Sequence, residues 1–431
     1  MILNSVKLPH FASAAESLTE ILDSPEKVII AMSQHIGAPC EPVVKVGDYV
    51  KSGQLIADSD AFISAPIHAS VTGKVVAETV VTYLNGRSCK ALVIETDKYQ
   101  DISDDIKPPV INDREEFIKA VRDSGSVGLG GAGFPTHVKI SYDREKTPVD
   151  TLVVNGAECE PYITSDYREF IESSDEIVNG IKLLMKYLDI PNAVVGIESD
   201  KPKAIAEIKR QLQGESGIRV KSLRARYPKG AEKVLVYETT KRVIMEGDLP
   251  SSVGCLVLNS STVSFISRYV KTGMPLFWRR LTLDGDIVDK PKNIVVPVGT
   301  TLKELLDFAS VTEPPEKAVF GGPMMGSAVY DLQIPITKTN NAILVFGKQK
   351  QHKQTACIRC GKCTYVCSMN LLPTALEHAY DARDADDLKR HRVNTCMSCG
   401  ACSFVCPAKR DIAEKNHLAK QFLIAVANKK Y

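Results

Sequence analysis

Cys357-Ile-Arg-Cys360-Gly-Lys-Cys363-Thr-Tyr-Val-Cys367 and Cys396-Met-Ser-Cys399-Gly-Ala-Cys402-Ser-Phe-Val-Cys406-Pro407 are two copies of one spacing, C-x2-C-x2-C-x3-C, the second closing in Cys-Pro. This is the run with which bacterial ferredoxins hold [4Fe–4S] clusters. Three thiolates two residues apart can curl around one cubane. The fourth, after a gap of three, points away and reaches the other cluster. The expected ligand sets are therefore crossed: Cys357, Cys360 and Cys363 with Cys406, and Cys396, Cys399 and Cys402 with Cys367. Zinc sites usually separate two C-x2-4-C pairs by a longer loop. Disulfides fit poorly with a long chain that has no secretory start. Two [4Fe–4S] clusters, and with them a redox role, are the expectation.

The bulk numbers bound the rest. At about 100–200 residues per domain, 431 residues make three or four domains. A hydrophobic share of 44% and a charged share of 25% are ordinary for a globular protein. The formal net charge of +2 argues against a nucleic-acid partner, which would want a concentrated basic surface. No apolar run reaches the roughly 18 residues needed to cross a bilayer, so any membrane association is expected to be peripheral, through a partner. The start, Met1-Ile-Leu-Asn-Ser-Val-Lys7, lacks a signal-peptide apolar region. Of twelve cysteines, the four outside the tail (Cys40, Cys89, Cys159 and Cys255) are scattered, as in a reducing, cytoplasmic compartment.

Residues 29–77 form the first unit. Val43-Val-Lys-Val-Gly-Asp48 through Gly53-Gln-Leu-Ile-Ala57, then Ile63-Ser-Ala-Pro66 through Gly73-Lys-Val75, give short alternating strands between glycine turns. The pattern resembles a lipoyl or biotinyl carrier domain, the barrel-sandwich hybrid. Such carriers present a lysine on the hairpin between their halves; here that hairpin reads Asp58-Ser-Asp-Ala-Phe62. A swinging-arm carrier is thus set aside for a structural or docking role, and His35 and Cys40 are read as local structure.

A polar stretch from Asp101 to Asp113, containing Lys107-Pro-Pro109, marks a boundary. A helix follows over about Arg114–Asp123, and then Gly128-Leu-Gly130-Gly131-Ala-Gly133-Phe134-Pro135-Thr-His-Val-Lys139. Four glycines in six residues let the backbone approach a ligand and aim N–H groups at a phosphate. A buried strand, Thr151-Leu-Val-Val154, then delivers Asn155-Gly-Ala-Glu158-Cys-Glu160-Pro-Tyr162. Carboxylates at a strand end beside such a turn suit ribose hydroxyls or a flavin edge. Helix about 175–188, strand 193–197, helix 203–212 and strand near 219–225 continue a Rossmann-like rhythm. It runs to Tyr227-Pro-Lys-Gly230-Ala-Glu232-Lys233, with a later turn at Leu258-Asn259-Ser-Ser-Thr262.

Gly128–Lys139 resembles the G-x-G-G-A-G-F-P-T-x-x-K loop of the flavoprotein subunit of respiratory complex I, which binds FMN and NADH, and Asn155–Glu160 is similar to that family's Asn-x-x-Glu-x-Glu segment. The order of modules resembles more closely the RnfC family, components of the Rnf electron-transport complex. Gln34-His-Ile-Gly-Ala-Pro39, the glycine loop, Asn155-Gly-Ala-Glu-Cys-Glu-Pro161 and Cys402-Ser-Phe-Val-Cys-Pro-Ala-Lys409 carry that resemblance over about residues 27–415. It implies FMN and NAD(H) held by Gly128, Gly130, Gly131, Gly133, Asn155, Tyr227, Gly230 and Asn259. Glu158, Glu160 and Glu232 would lie at the flavin–nicotinamide face, Phe134 stacking there and Lys139 answering the FMN phosphate. Three departures stand out. Leu8-Pro9-His10 replaces the usual Gly-Gly-x-His-Pro, Ser368 replaces the proline after Cys367, and Leu129 replaces the complex I arginine, removing a cation near the phosphate. The first two leave room for a soluble paralogue, such as the one associated with proline reductase.

Leu281-Thr-Leu-Asp-Gly285-Asp, Ile294-Val-Val-Pro-Val-Gly299 and a helix at 302–308 look like a soluble-ligand-binding β-grasp (SLBB) domain, a module of both families. Gly321-Gly-Pro-Met-Met-Gly326 is read as a backbone bend. The tail is expected to be a helical two-cluster ferredoxin domain, with helix around Thr374–Arg390. The expected fold is multidomain α/β: a barrel-sandwich hybrid (1–105), a Rossmann-like FMN/NADH domain (106–275), a β-grasp domain (276–348) and the ferredoxin domain (349–431).

The function implied is electron input: NADH to FMN to the two clusters to a partner, or the reverse. The partner would be another redox subunit of an Rnf-type complex, ferredoxin, or a dedicated reductase. Hydride transfer itself requires no protein acid or base, so no catalytic residue is nominated. Cys159 is read as packing rather than as a redox thiol. The competing class is an iron–sulfur conduit without a working flavin site, which Leu129 would favour.

Overall fold

The computed structural model describes residues 3–83 and 86–428; Met1 and Ile2 of the chain's start lie outside the described residues. The N-terminal unit is two small sheets closed on one core. One is antiparallel, in the order Lys27–Ala31, Ser88–Thr96, Gly73–Thr82, Tyr49–Val50, and the other joins Glu41–Pro42, Leu55–Asp58 and Ile67–His68. Val28, Ile30, Ile56, Ile67, Leu92 and Ile94 fill the space between them. The alternation of buried and exposed residues follows from side chains leaving a strand on opposite faces. The hairpin at Asp58 is docked, not free. Arg122 donates to both Asp58 oxygens at 2.9 and 3.2 Å and to the Ser59 carbonyl at 2.9 Å. Where a carrier would offer its arm, this chain offers an attachment to the next unit.

That next unit is a four-stranded parallel sheet, ordered Ile218–Leu223, Asn192–Glu198, Thr151–Gly156, Cys255–Asn259. Thr151–Gly156, Asn192–Glu198 and Cys255–Asn259 are near-continuous apolar runs because helices cover both faces, whereas the edge strand Ile218–Leu223 alternates with exposed Arg219 and Lys221. The helix Arg114–Asp123 begins where Asp113 accepts the Glu116 amide at 2.8 Å. The helices Ser174–Leu188 and Pro202–Gln211 fall where the sequence places them. Sequence reasoning passes over the helices Ser165–Glu172, Glu232–Thr240 and Ser260–Thr272 and the strand Cys255–Asn259. Ser260–Thr272 (Ser-Ser-Thr-Val-Ser-Phe-Ile-Ser) is poor in strong helix formers. Burial on nearly every face and the Asn259 side chain, which accepts the Ser261 and Thr262 amides, hold it instead. In sheet order the strands run third, second, first, fourth. Thr151–Gly156 and Cys255–Asn259 therefore flank the point where connections leave in opposite directions, the ligand crevice of open α/β sheets.

The third unit is a six-stranded mixed sheet. Its centre, Trp278–Asp284, pairs antiparallel with Lys292–Pro297 and parallel with Ala342–Phe346, and the helix Leu302–Ala309 packs into its core behind a Thr301–Glu304 capping box. The sheet's outer strand comes from the N-terminal arm, Glu20–Ile21, beside Lys292–Pro297. The same arm exchanges backbone hydrogen bonds between Val6 and Tyr227 at 2.9 and 2.8 Å. Lys338 fastens three units together. Its buried ammonium donates to the Pro66 carbonyl at 2.6 Å and the Gly125 carbonyl at 2.9 Å.

The tail is helical. The expected helix over Thr374–Arg390 is two, Pro373–Asp381 and Ala385–Arg390, broken where Arg383 takes a φ of 55°. Ile412–Asn428 packs across them. The two cysteine motifs share one backbone. Left-handed residues recur at matching places: Arg359 and Ser398, Gly361 and Gly400, Asn370 and Lys409.

The helices Ser174–Leu188 and Ser260–Thr272 meet at Gly180, where a Cβ would lie 2.1 Å from the Val263 carbonyl oxygen. Gly180→Ala forces the pair apart. Overpacking of this kind costs about 1–3 kcal/mol, so the urea midpoint followed by circular dichroism should fall. An unchanged midpoint would show that the contact is slack.

Candidate functional site

At that crevice lies a cleft of about 1000 Å³ walled by all four units. The parallel-sheet unit contributes Gly130, Gly131, Gly133, Asn155, Glu158, Glu160, Tyr227, Gly230, Glu232 and Asn259, the barrel unit His35 and Ile36, the mixed-sheet unit the Gly321–Ser327 turn, and the tail Cys396 and Cys399. Gly128, Phe134 and Lys139, nominated with them, stand outside the wall. Gly128 and Phe134 shape the turn through backbone, the Gly128 amide donating to the Phe134 carbonyl at 2.9 Å. Lys139 is committed to an ion pair with Glu232.

The glycine turn is held from beneath. Gly130 passes so close to Asn259 that a Cβ would sit 3.3 Å from its side chain. Gly131, with a φ of 105°, faces open space in which a Cβ would meet nothing within 4 Å. The Gly130, Gly131 and Ala132 amides donate to no group among the described residues. Leu129 does not enter the cleft; it is buried with Ala120, Phe265 and Leu276. A cation lies under the turn all the same. Arg279, buried in the mixed-sheet unit, donates to the Leu129 carbonyl and to the Asn340 carbonyl, each at 2.9 Å.

The strand-end carboxylates differ in what remains open to them. Glu158, at a φ of 46°, receives the Asp166 and Tyr167 amides at 2.6 and 3.0 Å. It thereby satisfies the free first-turn N–H groups of the helix Ser165–Glu172. Burial, then the neighbouring Asp166 charge, raise its pKa well above the ordinary carboxylate value. Glu160 accepts the Met324 amide at 2.9 Å through Oε2, while Oε1 is buried without a partner. Burial pushes its pKa up to about 7. The turn at Gly321–Gly326, read from sequence as a bend only, is thus a seat for Glu160: a Cβ on Gly322 would lie 2.3 Å from that carboxylate.

Around them the wall is knitted together. Asn155 donates to the Gly230 carbonyl at 2.8 Å, and the Gly230 amide reaches the Cys159 sulfur at 3.3 Å. Burial and the Glu198 charge push the Cys159 thiol up to about 12, in keeping with a packing role. Lys201 clamps the Ala157 and Glu158 carbonyls at 3.1 and 3.3 Å. Asp166, which sequence reasoning missed, accepts from Asn259 at 2.7 Å and Ser261 at 2.6 Å. No motif marks it, since its partners lie 93 and 95 residues away. His35 accepts the Ala65 amide at 3.0 Å through Nε2, which places its proton on Nδ1.

In the tail, Cys357, Cys360, Cys363 and Cys406 line one cavity of about 330 Å³. The other four thiols lie together: after burial, the charges of Cys396, Cys399 and Cys367 raise the Cys402 pKa. Among the described residues no three cysteine sulfurs lie within 4.8 Å of one another. A tetrahedral zinc would hold its thiolates roughly 3.8 Å apart at Zn–S of about 2.3 Å, closer than any three of these sulfurs lie. Backbone amides of Arg359, Leu371 and Ser398 lie 3.4 Å from Cys357, Cys367 and Cys396. Tyr227 donates to the Cys399 carbonyl at 2.7 Å, joining the cleft wall to the second motif. The open glycine cradle and the partnerless Glu160 oxygen fit a phosphate-bearing ligand with a polar edge, as FMN is.

Comparison with known proteins agrees. Residues 4–99 match the RnfC barrel sandwich hybrid domain, 121–268 the Nuo51 FMN-binding domain and 356–409 the 4Fe-4S dicluster domain. The chain is 45% identical over 364 residues to a component of the proton-translocating ferredoxin:NAD(+) oxidoreductase complex of Clostridium ljungdahlii, covering 83% of this chain and 79% of that one. It is 39% identical over 411 residues to the corresponding component of the Na(+)-translocating complex of Acetobacterium woodii, covering 94% and 93%. An NAD+-reducing [NiFe]-hydrogenase structure in the H2-reduced state shares the fold at a TM-score of 0.52 and 18% identity, over 73% of this chain and 61% of that one.

Two expectations follow from the site. Cys406→Ser should disturb the cluster held by Cys357, Cys360 and Cys363; electron paramagnetic resonance showing loss confined to the other cluster would refute the crossed assignment. For Glu160, a folded pKa of about 7 lies above its ordinary 4.5. The folded state then binds the extra proton, and its contribution to stability is lost as pH rises through that interval. Glu160→Gln should flatten the decline of the urea midpoint between about pH 5 and about pH 8; an unchanged slope would assign the decline to other groups.

Proposed function

The chain belongs to the RnfC family, whose members serve in ion-translocating ferredoxin:NAD(+) oxidoreductase complexes, and from that premise we propose that it is an NADH-linked oxidoreductase. It passes electrons between NADH, FMN, two [4Fe–4S] clusters and a partner redox protein, running in either direction with ferredoxin-linked NAD reduction as the reverse. None of the described helices is long and apolar enough to cross a membrane. Association with the cytoplasmic face of the cell membrane would come through partner subunits.

The observation that carries this reading is the shared wall: one cleft brings the glycine turn, Glu160 and the cysteines of the second motif together. A flavin, when bound, supplies the exchange between two-electron and one-electron chemistry that separates nicotinamide from clusters. The chain's own residues hold and orient. The Gly130–Ala132 amides are open to a phosphate, with the Arg279 charge behind them. Glu160 Oε2 is fixed by Met324, which leaves Oε1 to accept from, or when protonated donate to, a ligand's polar edge. Tyr227 keeps the Cys399 loop against the cleft. With Leu129 buried and Arg279 beneath the turn, the departure that favoured a mere conduit loses its force.

The test is anaerobic stopped-flow bleaching of the flavin by NADH. Gly131→Val should lose FMN, since it places a branched side chain in the cradle at a strained φ. Glu160→Gln should keep FMN and be reduced more slowly. Wild-type protein that holds FMN yet is not reduced by NADH would return the reading to a conduit.

A further inference from the structure

Residues 347–376 hold five lysines and arginines (Lys348, Lys350, Lys353, Arg359 and Lys362) and no aspartate or glutamate, in a chain whose net charge is only +2. All five are exposed. The ion pairs of the tail use other cations: Arg410 and Lys415 on Glu377, Lys389 on Asp386, Arg392 on Glu246. Carboxylates border the run: at its start Asp286 accepts the Gly347 amide at 2.8 Å and the Gln349 side-chain amide at 2.7 Å, with Glu313 beside Gly347, and at its end stand Glu377 and Asp411. Glu377 is 1% exposed and doubly paired, and Asp411 is bonded to the Gln354 amide. Among the described residues none of the five cations is in an ion pair, and Arg359 and Lys362 lie farthest along the chain from Asp286.

Three of those cations precede the first cysteine motif in the chain and two lie within it. Arg359 and Lys362 line the cavity formed by Cys357, Cys360, Cys363 and Cys406, and Cys360 itself is exposed. Ile358, 66% exposed, stands in the same loop, and Tyr365, 77% exposed, in the short helix Lys362–Val366 that follows. The second motif is placed differently, with Cys396 and Cys399 in the wall of the cleft. One cysteine set thus adjoins the ligand cleft and the other opens outward beside an apolar pair and the cations Arg359 and Lys362.

We propose that this face is the docking surface for an acidic one-electron carrier protein, and that the Cys357–Cys406 set is the exit and entry point for its electron. The proposal rests on the electron-transfer reading above and adds to it a location and a partner chemistry. Complementary charge steers encounter and fixes orientation, while a small apolar centre supplies contact that excludes water. One electron moves between a reduced centre and an oxidised one, with no bond made or broken and no proton required. A lipid surface would also attract these cations, but it has no use for a cysteine cavity beside Arg359 and Lys362.

The experiment uses the full chain with its cofactors and, as probe, an acidic two-cluster bacterial ferredoxin. In Lys348→Glu/Lys350→Glu/Lys353→Glu, which lies outside the cysteine loop, ferredoxin binding at low salt should weaken at least about tenfold. The difference should shrink at physiological ionic strength, where the Debye length is about 8 Å. Arg359→Glu/Lys362→Glu should do the same, with iron content checked. Lys209→Glu/Lys221→Glu, on the parallel-sheet unit, should bind as wild type. NADH reduction of menadione should be unaltered in the Lys348, Lys350 and Lys353 variant. Ferredoxin binding unchanged in both face variants would overturn the proposal, as would equal weakening in the Lys209 and Lys221 control. Phosphatidylglycerol vesicles capturing wild type but not the variant, with ferredoxin binding unaffected, would reassign the face to lipid. Binding needs no turnover: wild type that binds ferredoxin through this face but does not oxidise NADH would refute the proposed function and support the docking surface.

Discussion

The Glu158 carboxylate, turned inward at a left-handed φ to receive two helix amides, is the contact on which the cleft is built. A buried carboxylate is costly unless its oxygens are hydrogen-bonded, and the first turn of Ser165–Glu172 supplies N–H groups that have no intrahelical partner. That pairing fixes the helix against the end of Thr151–Gly156. The helix in turn carries Asp166 to Asn259, and Asn259 both caps Ser260–Thr272 and underlies Gly130. One buried acid therefore sets the height of the glycine turn, several elements away.

A second pattern concerns cations buried without a carboxylate in direct contact. Arg279 and Lys338, both from the mixed-sheet unit, end on backbone carbonyls of other units: Arg279 on Leu129, Lys338 on Pro66 and Gly125. Desolvation lowers the pKa of Arg279 to about 10 and that of Lys338 to about 7. Carbonyl acceptors let each charge be buried, and each bond is lost if the units separate. The mixed-sheet unit thus acts as a clasp between the barrel and the parallel sheet. This accounts for a glycine turn that keeps its shape without an arginine at position 129.

Much of this was legible in the sequence, and the parts that were not share a cause. The cysteine spacing is a local rule, and so are the glycine turn and the apolar runs of the parallel strands, because neighbours along the chain satisfy them. The helix Ser260–Thr272 was hidden because its serines and threonines contradict local propensity, and tertiary burial overrides them. Glu160 and Glu158 look alike in sequence. Only the contact of one with Met324, and of the other with a helix end, separates an acid with a buried, unpartnered oxygen from one that is fully engaged. Gly321–Gly326 read as a bend because its partner lies across a domain boundary. Asp166 and Arg279 carried no signal at all.

The cleft's walls are joined by pairs far apart in the chain: 150 residues between Leu129 and Arg279, 164 between Glu160 and Met324, 172 between Tyr227 and Cys399. Contacts of such separation form late, after the local elements and single domains have organised. During synthesis the parallel-sheet unit emerges with its glycine turn in place, but the Glu160 seat, the Arg279 support and the Cys399 wall are still to come. The cradle is therefore complete only when the last segment of the chain has docked. Ligand capture at the complete cleft becomes a test that every unit has folded and been assembled, and a chain truncated before its tail would leave that cleft open on the side that residues 394–399 close.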